Sequence, residues 1–297
     1  MRTATRIRDI QIVSTAMVFR ALGRSGCGRS LIEGAGRTPF GATLVGSMLG
    51  YRRSFRTLDE AERAVRPYAK GGHENPVNVA WHLDRAAGPS DYAAFYYLRD
   101  RMVYVRRIFD LGGNVGNLYY CYRDYLPLRD DATWTVYDLP ENLSLGRTLA
   151  CTRHARQLEF TDDFFRAGDV DLFIASGSLH YFETPLPELL ETIGQRPRFI
   201  LINRTPLTDG PDFAVVQDVG HIRVACMLYN RAKLIADFGR LGYDVSGEWQ
   251  APEFRIPVPD RPSANVGAYT GLWLERHPAE NSRSPLSTTP PERPGAR

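Results

Sequence analysis

The chain has 297 residues, of which 43% are hydrophobic and 24% charged, with a formal net charge of +3. These are the values of an ordinary soluble protein able to bury one substantial core. The basic residues are nearly all arginine, Lys70 and Lys233 being the only lysines, and they are dispersed rather than gathered, which argues against a nucleic-acid partner. No apolar stretch reaches the length of a membrane-spanning helix. Four scattered cysteines (Cys27, Cys121, Cys151, Cys226) form no Cys-x-x-Cys pair and no metal-like spacing with histidine, which predicts free thiols, no metal centre and a cytoplasmic location.

Residues 1–49 are rich in arginine and glycine and poor in acids, so they are expected to be a poorly ordered or mis-started N-terminal extension, with Met17 and Met48 as later starts. Within it, Ile10 to Leu22 is apolar and flanked by arginines, a pattern compatible with peripheral membrane contact. Residues 50–104 read as a helical lead-in or cap. Thr57 is placed to cap a helix with Glu60 three residues on, a second stretch spans Asn78 to Arg85, and a third spans Asp91 to Val103 after the turn Gly88-Pro89-Ser90.

From 105 to 276 strand-like and helix-like segments alternate. Strands are expected at Arg106–Leu111, Thr133–Tyr137, Gln157–Thr161, Val170–Ser176, Arg198–Asn203, Tyr243–Trp249 and Gly267–Glu275, and helices at Leu118–Tyr125, Glu141–Arg153, Leu186–Ile193 and Tyr229–Leu241. Two of the strands, around Leu172 and Ile200, are continuous apolar runs, as when both sheet faces are covered. The pattern predicts an α/β, Rossmann-like, doubly wound sheet of seven mostly parallel strands. A proline-rich loop from Pro252 to Pro262 joins the last two strands, which predicts a C-terminal antiparallel hairpin. Residues 277–297 are rich in proline and serine and are expected to be disordered.

Four stations carry the chemistry. The first is Ile108-Phe-Asp110-Leu-Gly112-Gly113-Asn114-Val-Gly116-Asn117, a strand, glycine turn and helix start of the kind that cradles a nucleotide, because glycine takes positive φ and lets backbone approach a ligand. The second is Asp138-Leu139-Pro140, where an acid at the end of the next strand accepts from ribose hydroxyls. The third is Asp162-Asp163-Phe164-Phe165, placed for an adenine amino group and ring. The fourth is Ser176-Gly177-Ser178-Leu179-His180 with Asn203-Arg204-Thr205. There His180 is a candidate general base, and Arg204 is a candidate fork for a carboxylate or phosphate, or the partner of a neighbouring acid.

Together with Gly50-Tyr51, Ser54-Phe55, Tyr181 and Arg204-Thr205-Pro206, these motifs make the chain resemble a Class I S-adenosylmethionine-dependent methyltransferase. It is most similar to a family associated with surface-polysaccharide or secondary-metabolite gene clusters, over about Gly50 to Glu275. The resemblance implies S-adenosylmethionine held by Asp110, Gly112, Gly113, Asn114, Gly116, Asn117, Asp138, Leu139, Asp162, Asp163, Ser176 and Gly177. The family usually carries glutamine where this chain has His180.

Ser176-Gly-Ser-Leu stands where amino-methylating nucleic-acid enzymes carry an Asp/Asn-Pro-Pro-aromatic motif. Ser176 and Asn203-Arg204 stand where metal-dependent catechol-type enzymes need acids. A small-molecule or sugar acceptor remains, with O-methylation favoured and the oligomeric state open. Residues 212–229 are expected to fold over the carboxyl edge of the sheet, and Tyr119, Tyr120, His221, Arg223 and Tyr229 are candidates to line the acceptor pocket. An NAD(P)-linked oxidoreductase is the competing enzyme class, although neither lysine sits in a Tyr-x-x-x-Lys context; a catalytically silent adenosyl-binding protein is the other alternative.

Overall fold

The computed structural model describes residues 51–65, 83, 85–218, 223–258 and 260–277. The expectations for residues 1–49, most of Asn78–Arg85, His221 and the tail beyond 277 fall outside them.

The principal sheet has seven strands: β2 (Arg107–Leu111), β3 (Thr133–Tyr137), β4 (Leu158–Thr161), β5 (Leu172–Ser176), β6 (Phe199–Thr205), β10 (Tyr243–Ala251) and β11 (Tyr269–Arg276). Their order is β10-β11-β6-β5-β2-β3-β4. The five strands from β6 to β4 are parallel, β11 is antiparallel to β6, and β10 is antiparallel to β11. This is the expected Rossmann-like sheet with its terminal hairpin. The parallel register aligns Leu111 with Tyr137 and Ala175, Tyr137 with Thr161, and Ser176 with Asn203. One carboxyl edge therefore collects the ends of all five strands, which is where open α/β sheets bind ligands.

Two apolar layers cover the sheet. On one face, helices α2 (Pro89–Leu98), α3 (Asn117–Tyr122) and α4 (Pro140–Thr152) bury Phe95, Leu98, Tyr122, Leu143 and Trp134 with Ile108, Ile174 and Leu201. On the other face, α1 (Leu58–Val65), α5 (Leu186–Glu191) and α6 (Arg231–Arg240) bury Leu58, Leu190 and Phe238 with Phe109, Phe173 and Ile200. Each such fully buried apolar side chain contributes about 1.5–3 kcal/mol relative to exposure. The predicted start of α1 is present: Glu60 N–H donates to Thr57 Oγ1 at 3.2 Å and the Glu60 carboxylate accepts from Arg56 N at 3.0 Å.

The segment 50–104 is not helical throughout. It opens with β1 (Tyr51–Phe55), which joins β7 (Leu207–Thr208), β8 (Phe213–Asp218) and β9 (Arg223–Asn230) in a second sheet of order β1-β8-β9-β7. The β8–β9 pair, within residues 212–229, packs on the segment that follows β5 at the carboxyl edge, Tyr181 OH donating to Gln217 Oε1 at 3.1 Å and Tyr229 OH to Leu179 O at 3.4 Å, and its strands are largely buried. Ala214, Val216, Ala225 and Met227 enter the core of the second sheet face, while Phe213, Val215, Cys226 and Leu228 pack on Ala251, Ile256, Val258 and Tyr269 of the proline-rich loop and its flanks. A strand buried on both faces loses the period-two signature that would have marked it in the sequence.

Candidate active site

The turn after β2 is held by backbone chemistry. Gly112 (φ 68°), Asn114 (φ 55°) and Gly116 (φ 90°) all take left-handed conformations, so the asparagine does what glycine does on either side, as its short polar side chain permits. Gly116 N–H donates to Gly113 O at 3.0 Å, and Val115 N–H to the Asn114 side-chain oxygen at 2.9 Å. The helix that follows has only six residues, so its dipole adds little, and the turn is closed on itself by Gly112 N–H donating to Tyr137 O at 2.7 Å and Asn117 N–H to Gly113 O at 3.3 Å.

Asp138 reaches this turn directly. One carboxylate oxygen accepts from Asn114 N at 2.7 Å, and the other from Leu139 N at 2.8 Å and Asn142 Nδ2 at 2.7 Å. Asp110 lies beneath the turn, 2% exposed, and accepts from Trp134 Nε1 at 3.0 Å. Burial, with the negative charge of Asp138 added, pushes its carboxyl up to about 7, against the Trp134 hydrogen bond that lowers it. At the end of β4, Asp163 accepts from Phe165 N at 2.9 Å and caps a 3-10 turn, while Asp162 is exposed. Phe164 packs on Phe109, Tyr137 and Phe173, leaving Phe165 as the outward ring.

Two buried polar atoms at this edge, Ser176 Oγ and Asn117 Oδ1, have no hydrogen-bond partner among the described residues. Gly177 (φ 77°) faces open space, the nearest atom to an added Cβ being Arg204 Cβ at 3.9 Å. Gly112 differs: a Cβ there would stand 2.4 Å from Ser178 Cβ, because the Ser178 hydroxyl is pinned to Leu111 O. Gly112 is thus required by protein packing before any ligand is considered.

The two catalytic candidates sit apart from open space. His180 is 3% exposed, its ring 4.1 Å from that of Tyr181 and 5.7 Å from that of Tyr269. Arg204 adopts φ 54°, which is uncommon for a long side chain and costs on the order of 1–3 kcal/mol. That backbone turns its guanidinium onto the start of α2: Nε donates to Ser90 Oγ at 2.9 Å, and Nη2 meets Asp91 Oδ1 as a charge contact. Its charge is therefore satisfied by a neighbouring acid, the second of the two roles expected for it.

Asp91 is the hub of a group that local sequence patterns did not reveal. The carboxylate is fully buried and also accepts from Arg85 Nη1 at 2.7 Å, Arg85 Nη2 at 3.2 Å, Tyr122 OH at 2.8 Å and Gly88 N at 2.8 Å. Burial alone would raise its carboxyl, but the Arg85 hydrogen bond and the Arg204 and Arg85 charges hold it below the ordinary range. Glu253 accepts from Ser90 N at 3.1 Å, and Asn203 Nδ2 donates to Ser90 O at 3.3 Å.

Of the expected pocket residues, Tyr119, Tyr120, Arg223 and Tyr229 are each less than 9% exposed. Tyr119 packs against Trp134, and the Tyr229 hydroxyl donates to Phe182 O. The three tyrosines belong to the buried apolar layers on either face of the sheet. Among the described residues no group of three or more His, Cys, Asp or Glu is placed to hold a metal ion, and no helix is long and apolar enough to cross a membrane. Cys121, Cys151 and Cys226 are free thiols.

No protein-family model matches the chain, and no curated protein is similar to it. Solved structures match it in part, at low identity. The mitomycin 7-O-methyltransferase MmcR is 15% identical over 58% of this chain and 49% of its own, with a TM-score of 0.39, so the chain spans about half the length of that protein. The N-terminal domain of EvdMO1, solved with SAH bound, is 17% identical over 75% of this chain and 98% of its own, with a TM-score of 0.42. The Burkholderia thailandensis 1,6-didemethyltoxoflavin-N1-methyltransferase, solved with its acceptor and S-adenosylhomocysteine, is 16% identical over 63% of this chain and 76% of its own, with a TM-score of 0.41. At these levels the likeness carries no argument, and the functional reading rests on the residues.

Proposed function

We propose that the protein is an S-adenosylmethionine-dependent methyltransferase acting on a small-molecule or sugar acceptor, with oxygen the favoured acceptor atom. The observation that carries this reading is the joint between Asp138 and the left-handed glycine turn, where the carboxylate just after β3 accepts from Asn114 N at 2.7 Å and so stands at the same edge as the turn. The orphaned Ser176 and Asn117 oxygens and the open space over Gly177 fit a ligand at the same edge. Asp138 and Leu139 would hold the ribose, Asp162 and Asp163 the adenine, and the turn from Asp110 through Gly112, Gly113, Asn114 and Gly116 to Asn117 the amino-acid tail. Ser176 and Gly177 would border the reacting carbon.

The donor supplies a methyl group already activated by a sulfonium, so the chain's task is alignment and exclusion of water. As the acceptor–carbon bond forms, the sulfur–carbon bond breaks, and the acceptor's proton leaves to a base or to solvent. With His180 buried between two tyrosines, its use as that base requires Tyr181 to move aside. Arg204, held by Asp91, is proposed to shape the acceptor edge. A cytoplasmic location and a gene-cluster association belong to the same proposal.

Isothermal titration tests it. S-adenosylhomocysteine should bind and NADH should not, and Asp138→Ala should weaken the former by about tenfold or more, the loss of charge-assisted hydrogen bonds. Heat with NADH alone would favour the oxidoreductase, and tight S-adenosylhomocysteine binding without methyl transfer to any acceptor would favour the silent protein.

A further inference from the structure

A second concavity lies at the opposite end of the sheet, at the outer edge of β4, and its lining follows from two periodicities. Arg147, Cys151 and His154 stand at i, i+4 and i+7, one stripe of α4 and its cap, while Arg156, Leu158 and Phe160 alternate onto one face of the edge strand. With Ala150 and Ala155 they line a concavity of about 340 Å³ that is open to solvent. The floor is apolar and the rim carries Arg147, His154 and Arg156.

Among the described residues none of these three cations has a carboxylate in ion-pair range. Arg147 donates only to Phe160 O, at 3.2 Å. Glu159 points to the other face of β4 and is taken by Arg166 at 2.7 Å. Cations near a helix C-terminus ordinarily answer its dipole, but the last carbonyls of α4 are already closed by Arg153 N to Leu149 O at 2.9 Å, His154 N to Cys151 O at 3.2 Å and Ala155 N to Ala150 O at 2.9 Å. Arg147 also lies well before the last turn. His154 adopts φ 51° at the position after a helix where glycine is the low-strain residue. An imidazole is thus kept at the cavity rim at a conformational cost.

We propose that this cavity is a binding site for a small organic anion, a carboxylate or phosphate head on an apolar or aromatic body, distinct from the carboxyl edge. The head would sit among Arg147, His154 and Arg156, and the body would lie over Leu158 and Phe160.

Cys151, exposed within the cavity, reports occupancy without reference to any activity. Its alkylation by neutral iodoacetamide, followed by peptide mass spectrometry, should slow at least tenfold under saturating phenyl phosphate or benzoate and not under benzyl alcohol. Protection by one anion alone supports the proposal and identifies the head group. Arg147→Gln and Arg156→Gln, both at exposed positions, should each raise the half-protecting concentration about two- to fivefold, the scale of an exposed ion pair, with thermal melting confirming the fold. Equal protection by benzyl alcohol, protection by neither anion, or protection untouched by both substitutions would each overturn it.

Discussion

The carboxyl edge brings together two constructions of opposite kinds. Asn114 of the glycine turn and Asp138 are only 24 residues apart and are joined through a backbone N–H group, so their geometry survives most side-chain changes nearby. The Asp91 hub draws Arg85, Tyr122, Arg204 and Glu253 from across the chain, Ser90 and Glu253 alone being 163 residues apart, and depends on buried charge. A local cradle can bind a ligand without contributing much to folding, whereas a buried ionic hub can secure a lead-in helix without touching a ligand. The difference predicts that substitutions in the two regions separate affinity from stability.

The largest effect is expected for Asp91→Ala. It leaves Arg204 and Arg85 buried without their carboxylate, a loss of about 3–5 kcal/mol for breaking a buried pair, read as a lowered denaturant midpoint. A stability loss below about 1 kcal/mol would mean that the hub is surface-like in energy. Asp138→Ala shifts the balance: stability should fall by about 1.5–3 kcal/mol, the value of a hydrogen bond to a charged group, less than for Asp91→Ala, while calorimetry shows the loss of S-adenosylhomocysteine affinity. If stability fell as far as for Asp91→Ala, the cradle would be a folding element first.

Asp110 adds a pH test. Its folded carboxyl titrates near 7, above the roughly 3.9 of an unfolded aspartate. The folded state therefore holds the extra proton between those values, and stability falls as pH rises through that window, by up to about 1.4 kcal/mol per pH unit. Asp110→Asn should flatten that slope, measured as melting temperature between pH 4.5 and 8. An unchanged slope would place the titration elsewhere. The smallest effect is expected for Gly177→Ala, where no atom obstructs the methyl group and only the positive φ costs about 1 kcal/mol. Its affinity for S-adenosylhomocysteine should drop if the donor lies over that glycine.

How far the site could be read in advance tracks the range of the interactions that build it. The glycine turn and the acid after β3 carry their geometry in a few consecutive residues, so Asp110 to Asn117 and Asp138 were legible. Asp91 looked like the first residue of a helix because nothing near it in sequence announces two arginines and a tyrosine. His180 looked available for proton transfer because one of the two rings against it, Tyr269, comes from the last strand.

The sequence by itself determined the alternation of strands and helices, the seven-stranded sheet with its antiparallel finish and the turn at its carboxyl edge, since these follow from periodicity, apolar runs and glycine chemistry within short windows. Only the tertiary structure decided that β1, β7, β8 and β9 form a second sheet, that the expected pocket tyrosines belong to the buried apolar layers, that Arg204 belongs to Asp91, and that α4 and β4 line a cationic concavity. Those outcomes depend on which distant surfaces meet, and burial on both faces or charge pairing across more than a hundred residues leaves no period in the chain to read.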